Sequence, residues 1–284
     1  MPPRSAPTVR QRRLGAELRR LREAAGVTTQ EAAALLGVDR TRIPNLESGR
    51  FGISSDRVRT LALKYGCADA ALVEALANMA EDRGRHWWES YRGLLPPAFQ
   101  DVAELEHHAN AMRMFVMVHI PGLLQTAEHA RAVFEKSLAG LSPREIELRV
   151  AHRMRRQEIL TLREPAPPFT AIIHEAALRM QFGGVKVARR QLVHLLEMSE
   201  RDTIILRVLA FASDGFAGPG QPIFYAHGPV PQLDTVQLDN YHGAVFVDSA
   251  ADLAGYRRLL DETEMCSLLP GASRDLIHSI IRQL

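Results

Sequence analysis

Long apolar stretches are absent from this chain: no run among its 284 residues approaches the ~18–20 apolar positions that a bilayer-spanning helix requires. Cysteine is nearly absent as well. Cys67 and Cys266 stand far apart and outside any metal-ligand spacing, which excludes a thiolate metal site and a disulfide framework. They read as isolated thiols in or near a core, and such sparse usage fits a reducing cytoplasm. The opening Met1-Pro2-Pro3-Arg4-Ser5 has no apolar core after its charge, so no secretory signal is expected. Catalytic signatures are missing too: there is no Gly-x-Ser-x-Gly elbow, no phosphate loop and no Cys-x-x-Cys pair. His174-Glu175 begins like a zinc-protease helix, but Leu178 stands where the second histidine belongs. Glu104, His107 and His108 could share a helical face, yet 11 histidines make such a grouping expected by chance. The expectation is a non-enzyme with no cofactor and no metal.

What is present is an ordinary globular composition, 46% hydrophobic and 24% charged. The net charge of +2 conceals an asymmetry. Residues 1–66 carry 13 Arg/Lys against 6 Asp/Glu, a balance of +7; the remainder carries 22 against 27, a balance of −5. A basic module joined to a mildly acidic one points to a polyanionic partner for the first part only. Residues 1–9, with three prolines, read as a disordered arm. Residues 10–81 read as five short helices, and residues 82–100, with Gly84, Trp87-Trp88, Gly93 and Pro96-Pro97, as a connector. Residues 101–284 read as an α+β domain with a small, mostly antiparallel sheet. Its helices are expected near 101–114, 125–138, 142–162, 185–199, 249–263 and 273–283, and its strands near 169–173, 203–211, 223–225, 235–238 and 244–247. Gly215-Phe216-Ala217-Gly218-Pro219-Gly220 reads as a hairpin or lid, because no helix follows it to cradle a phosphate.

The spacing from Gly26 to Gly49 carries the strongest signal. A helix-turn-helix needs a short helix, a tight turn and a second helix delivered to the major groove of DNA. Thr29–Leu36, Gly37-Val38-Asp39 and Arg40–Ser48 supply those parts in order. Thr28 or Thr29 caps the first helix; Ala32, Ala33, Leu35 and Leu36 face inward; Gly37 leaves it in a left-handed conformation. Asp39 is expected to cap the second, which turns Ile43 and Leu46 inward and Arg40, Thr41, Arg42 and Asn45 outward. Those outward types bond base edges or phosphates. Pro44 lies early in that helix, where it predicts a late start or a kink.

These residues resemble the Xre family of bacterial and phage repressors. The likeness runs through Leu18-Arg19-x-Leu21-Arg22, Gly26-Val27-Thr28-Thr29-Gln30-Glu31, Leu36-Gly37-Val38 and Ile43-x-x-Leu46-Glu47-Ser48-Gly49-Arg50. It implies a lambda-repressor-like fold. It also implies base reading by Asp39, Arg40, Thr41 and Asn45, to which the outward position of Arg42 adds a fifth candidate, phosphate holding by Thr28, Thr29, Gln30 and Arg50, and a structural ion pair between Arg22 and Glu47. Further on, Trp87-Trp88-x-x-Tyr91-Arg92-Gly93, Ala103–Glu106, Pro121–Thr126, Ile173–Arg179 and Pro231–Gln237 resemble the C-terminal domain of WhiJ-like regulators. That likeness implies a small protein partner encoded nearby, and a small-molecule effector as a second option, in an antitoxin-like arrangement.

Candidate ligand residues are Trp87 and Trp88 in the connector and His174, Glu175 and Arg179 in the second domain. The tryptophans line a pocket or pack at a domain junction; the other three, with Gln181, form a polar site or satisfy one another in the interior. The combined expectation is a cytoplasmic, nucleoid-associated, homodimeric regulator on a palindromic double-stranded operator, with no membrane partner. Its C-terminal domain would respond to a protein partner or ligand. The alternative is the antitoxin-like half of a protein pair, with autoregulatory DNA binding.

Overall fold

The computed structural model describes residues 7–82, 86–137, 140–213, 218, 220–240 and 243–284. Most of the proposed N-terminal arm, Gly84 of the connector, and most of the Gly215–Gly220 segment lie outside the described residues. The chain divides into two compact units, Met1–Arg92 with Phe99–Leu105, and Gly93–Ala98 with Glu106–Leu284.

The first unit contains α1 (Val9–Ala24), α2 (Thr29–Leu36), α3 (Arg42–Glu47), α4 (Ser55–Lys64) and α5 (Ala70–Glu81), then a 3-10 turn at Trp87–Tyr91. Side-chain caps start four of these helices: Thr8, Thr28, Ser54 and Asp69 each accept a hydrogen bond from a backbone N–H of the first turn. Leu18, Ala32, Ala33, Ile43, Leu46, Val58, Leu61 and Leu76 form the interior. Leu35, expected inside, is 38% exposed, and Leu36 is half-buried. A 3.6-residue period over only eight positions does not fix which edge of the apolar stripe is covered.

The second unit follows α6 (Pro97–His108), whose Phe99–Leu105 stretch belongs to the first. It carries β1 (Ala111–Val116), α7 (Ala127–Glu135), α8 (Pro143–Thr161), β2 (Phe169–His174), α9 (Glu175–Arg179) and α10 (Val185–Met198). Then come β3 (Ile204–Leu209), β4 (Ile223–His227), β5 (Thr235–Asn240), β6 (Gly243–Val247), α11 (Ala250–Cys266) and α12 (Pro270–Gln283). The six strands form one mixed sheet in the order β3-β2-β1-β4-β5-β6. The expected helix over 101–114 stops at His108, and β1 takes the remainder. Local sequence allowed a helix there, but a strand hydrogen-bonded on both sides, to β2 and β4, overrides propensity. The sheet is also less antiparallel than expected: β1 pairs with β2, and β2 with β3, in parallel. Helical crossovers join those strands, and parallel neighbours require such crossovers.

One sheet face buries Phe115, Ile172, Leu209, Ile223, Tyr225 and Val236 together with Leu253 and Leu260 of α11. On that side Arg113 reaches Asp261 at 2.6 Å and Glu264 at 2.9 Å. Asp234, within the Pro231–Gln237 motif, accepts from Tyr225 Oη at 2.7 Å, the Gly228 N–H at 2.9 Å and Arg257 at 3.0 Å. Asp234 thereby ties β4, the turn after it and α11 together. Cys67 is half-buried, but Cys266 is exposed at the end of α11 rather than near the core. No helix among the described residues is long and apolar enough to cross a membrane.

Candidate nucleic-acid interface

The first helix of the motif is built as the sequence predicts. Thr28 and Glu31 close a reciprocal capping box, with the Thr28 N–H donating to Glu31 at 2.7 Å and the Glu31 N–H donating to Thr28 Oγ1 at 3.2 Å. Gly37 ends α2 at φ 60°, ψ 38°, a left-handed conformation that glycine adopts without a Cβ penalty. The Val38 N–H then donates back to the Ala33 carbonyl at 3.0 Å, fixing the turn.

The second helix departs from expectation at its start. Regular helix begins at Arg42, with Thr41 as the uncapped preceding residue. Asp39 is not the cap; its carboxylate accepts from the Thr41 N–H at 2.8 Å and the Thr41 hydroxyl at 2.5 Å, and those bonds hold its pKa below the usual carboxylate value. Pro44 explains the late start. At the third helical position it lacks an N–H that no intrahelical carbonyl would have received, so the helix is shortened rather than broken. Its own carbonyl accepts from the Ser48 N–H at 3.0 Å.

α1 clamps α3 from behind. Arg22 donates to Glu47 at 2.6 and 3.1 Å and to the Val27 carbonyl at 2.8 Å, with both charged side chains about nine-tenths covered. This is the ion pair implied by the Xre likeness. A Cβ on Gly15 would lie 2.6 Å from the Leu46 carbonyl oxygen, and one on Gly49 2.7 Å from that of Gln11. The backbones of α1 and the end of α3 therefore touch directly, which fixes the orientation of α3.

The side chains outside this clamp are in three states. Arg40 and Arg50 are exposed and make no hydrogen bond or ion pair among the described residues, so both cations are presented to solvent. Arg42 is exposed but lies over the Phe51 ring at 5.7 Å, a contact not foreseen because Phe51 follows the motif at no recognisable spacing. Asn45 is half-buried and its amide donates to the Thr41 carbonyl at 2.9 Å. Thr28, Thr29 and Gln30 sit at the N-terminal end of α2, where the Thr28–Glu31 capping box engages the Thr28 hydroxyl and the Thr28 and Glu31 N–H groups. Asp39, Arg40, Thr41, Arg42 and Asn45 thus share one short stretch of chain at the turn and first part of α3.

The candidate ligand residues fall in separate places. Trp87 and Trp88 belong to the first unit; Trp88 is buried, stacks on His86 at 4.4 Å and meets Trp87 edge-on at 5.7 Å. His174, Glu175 and Arg179 belong to the second. His174 accepts the Ala176 N–H at 3.1 Å, Glu175 accepts the Phe211 N–H at 3.0 Å, and Arg179 bonds Glu175 at 2.8 Å and Gln283 at 2.9 Å. Their polar atoms are engaged in tying β2 and α9 to the following strand and to α12.

Two family matches account for most of the chain. Residues 13–76 match a helix-turn-helix domain, and residues 99–279 match a domain of unknown function, DUF5753. No curated protein and no solved structure matches. The second match alone covers more than half of the sequence, so the chain belongs to the DUF5753 family and carries a helix-turn-helix DNA-binding domain ahead of it.

Proposed function

We propose that this protein is a sequence-specific transcriptional regulator of Xre type that acts in the cytoplasm as a homodimer on a palindromic operator. In this reading the DUF5753 unit, of the WhiJ-like kind, is a non-catalytic sensor that responds to a small protein partner or a ligand. The observation that carries the proposal is the α2–turn–α3 arrangement: Arg40 in the turn and Arg50 past the helix end are exposed and unpaired among the described residues, and they flank a helix, carrying Asn45, that the Arg22–Glu47 pair ties to α1. The dimer follows from size: a helix of six residues contacts too few base pairs for specificity, and two-fold dimers read half-sites about one turn of DNA apart.

The test is titration of wild type, Arg40→Ala, Asn45→Ala and Arg50→Ala against a selected operator and a scrambled duplex at several salt concentrations. Arg40→Ala should lose about 1–3 kcal/mol on the operator and little on scrambled DNA. Asn45→Ala should lose less, because the wild-type amide must first leave the Thr41 carbonyl, a bond worth about 0.5–1.5 kcal/mol net. Arg50→Ala should weaken both duplexes alike and flatten the salt dependence by about one counterion per subunit. Equal losses on both duplexes for Arg40→Ala and Asn45→Ala overturn base reading by α3. Footprinting that shows one monomer on an unrepeated half-site overturns the dimer.

A further inference from the structure

The most unusual chemistry in the second unit lies away from the candidate residues named by the sequence. Arg153, on α8, is a half-buried guanidinium with no ion pair among the described residues. Its one hydrogen bond is to a neutral amide, Gln125 Oε1 at 2.7 Å, and its Nε has no partner. Its neighbours in the same unit are treated differently. Arg113 meets Asp261 and Glu264, Arg257 meets Asp234, and Arg156, one turn along α8, is held by both oxygens of Glu106. Burial, and then the like charge of Arg156, depress the Arg153 pKa to about 9. Glu106 and Asp239 act on it only from a distance, as favourable charges without contact.

A second unsatisfied group stands nearby. His129, on α7, is 1% exposed, and neither ring nitrogen has a hydrogen-bond partner among the described residues. Burial pushes its pKa down to about 4, with further lowering from His119 and Arg153. His119 is exposed and marks where this cluster meets solvent. Phe134 lies beneath the Arg153 guanidinium at 4.4 Å, and Phe182 contacts the rings of His119 at 5.0 Å and His129 at 5.7 Å. The intervening chain is braced. Gln157 donates to the carbonyls of Gly122 at 2.9 Å and Gln125 at 2.7 Å, and Gln125 donates to that of Ile120 at 2.7 Å. Gly122 leaves open the position where a Cβ would lie 3.6 Å from Arg153 Nε and 3.8 Å from an Arg156 nitrogen.

Buried charges are ordinarily paired, and buried donors ordinarily bonded. A guanidinium and an imidazole left unsatisfied around one corner of the chain, Arg153 bonded to Gln125 and His129 to the adjoining Thr126 through its backbone N–H, on a braced scaffold with aromatic neighbours, are complementary to one kind of ligand. We propose that Arg153, His129 and His119 bind the oxyanion group, carboxylate or phosphate, of a small organic molecule whose apolar part contacts Phe134 and Phe182. The guanidinium fork suits either oxyanion. For its regulatory meaning, though not for binding itself, this inference rests on the ligand-responsive reading above.

The test uses the full chain with ring-labelled histidine, titrated with benzoate, phenyl phosphate, acetate and inorganic phosphate at constant ionic strength. The expected result is a saturable shift of the His129 and His119 resonances with one of the two aromatic probes, at least tenfold tighter than with its inorganic or aliphatic counterpart. The preferred probe tells carboxylate from phosphate. Arg153→Gln should weaken binding more than tenfold, and Arg131→Gln, at an exposed ion pair with Glu147, should not. Arg153→Lys, which keeps the charge and loses the fork, should fall between them and serves if the glutamine variant does not fold. No saturable shift with any probe up to about 10 mM, weaker than most metabolite sites, overturns the site; so does binding that survives both Arg153 substitutions. Saturable binding that leaves operator affinity unchanged upholds the site and overturns its part in ligand-responsive regulation.

Discussion

Mild acid should destabilise the second unit through His129. In the unfolded chain an imidazole titrates near 6.5, whereas burial and two positive neighbours bring His129 to about 4 in the folded protein. Between those values the unfolded state binds the additional proton, so stability rises with pH and is lost as pH falls. The loss begins below 6.5 and is complete near 4. The linkage relation gives about 1.4 kcal/mol at pH 5.5 and about 3 kcal/mol at pH 4. His119, whose pKa is also lowered by partial desolvation of the ring and then by Arg153, acts in the same direction. The informative range is pH 7 to 5.5, where carboxylates remain largely ionised and do not obscure the slope. Two measurements suffice: the His129 ring pKa by NMR, and urea unfolding at several pH values for wild type and His129→Leu. The variant should lose less stability on acidification, by about 1 kcal/mol or more at pH 5.5. A ring pKa at or above 6.5, or an undiminished acid loss in His129→Leu, refutes the reasoning.

Glu47→Ala should cost about 3 kcal/mol in urea unfolding of the N-terminal unit, because Arg22 is left buried with the Val27 carbonyl and a long 3.5 Å contact to the half-exposed Glu23. A change no larger than that of Arg19→Ala, which breaks an exposed pair with Glu23, would show that the clamp does not hold α3. Gly49→Ala should destabilise by about 2–3 kcal/mol, since it combines a left-handed backbone with a Cβ placed 2.7 Å from a backbone oxygen. Gly26→Ala, at φ +67° with open space around it, should cost only about 1 kcal/mol. Similar melting temperatures for the two alanine variants would contradict the close approach of α1 and α3.

The helix-turn-helix was legible because its determinants are local. A Thr–Glu capping box, a glycine that must be left-handed and a short apolar period fix α2 and its turn within about ten residues. The late start of α3 was half-legible: Pro44 announced it, but the Asp39–Thr41 bonds that replace the expected cap depend on where the helix begins. β1 was not legible. Ala111–Val116 follows a helix without a strong breaker, and only its partners on both sides make it a strand. The parallel pairings went unread for a related reason, since register and direction are set by crossover helices more than by strand composition.

The same distinction governs the candidate site in the second unit. His174-Glu175 attracted attention because adjacent polar residues are conspicuous in a sequence, yet in the fold their side chains are engaged with neighbours on α9 and just past β3. Arg153 drew none, because it stands in Arg149–Arg156, a stretch that reads as the solvated face of a basic helix. An arginine on such a face and one enclosed beside Phe134 have the same local text. What separates them is whether a carboxylate arrives from elsewhere in the chain, as Glu106 does for Arg156 and none among the described residues does for Arg153. A site made by the absence of a partner leaves no motif. It is found by asking of every buried charge what balances it, and Arg153 is where the described residues leave that question for a ligand to answer.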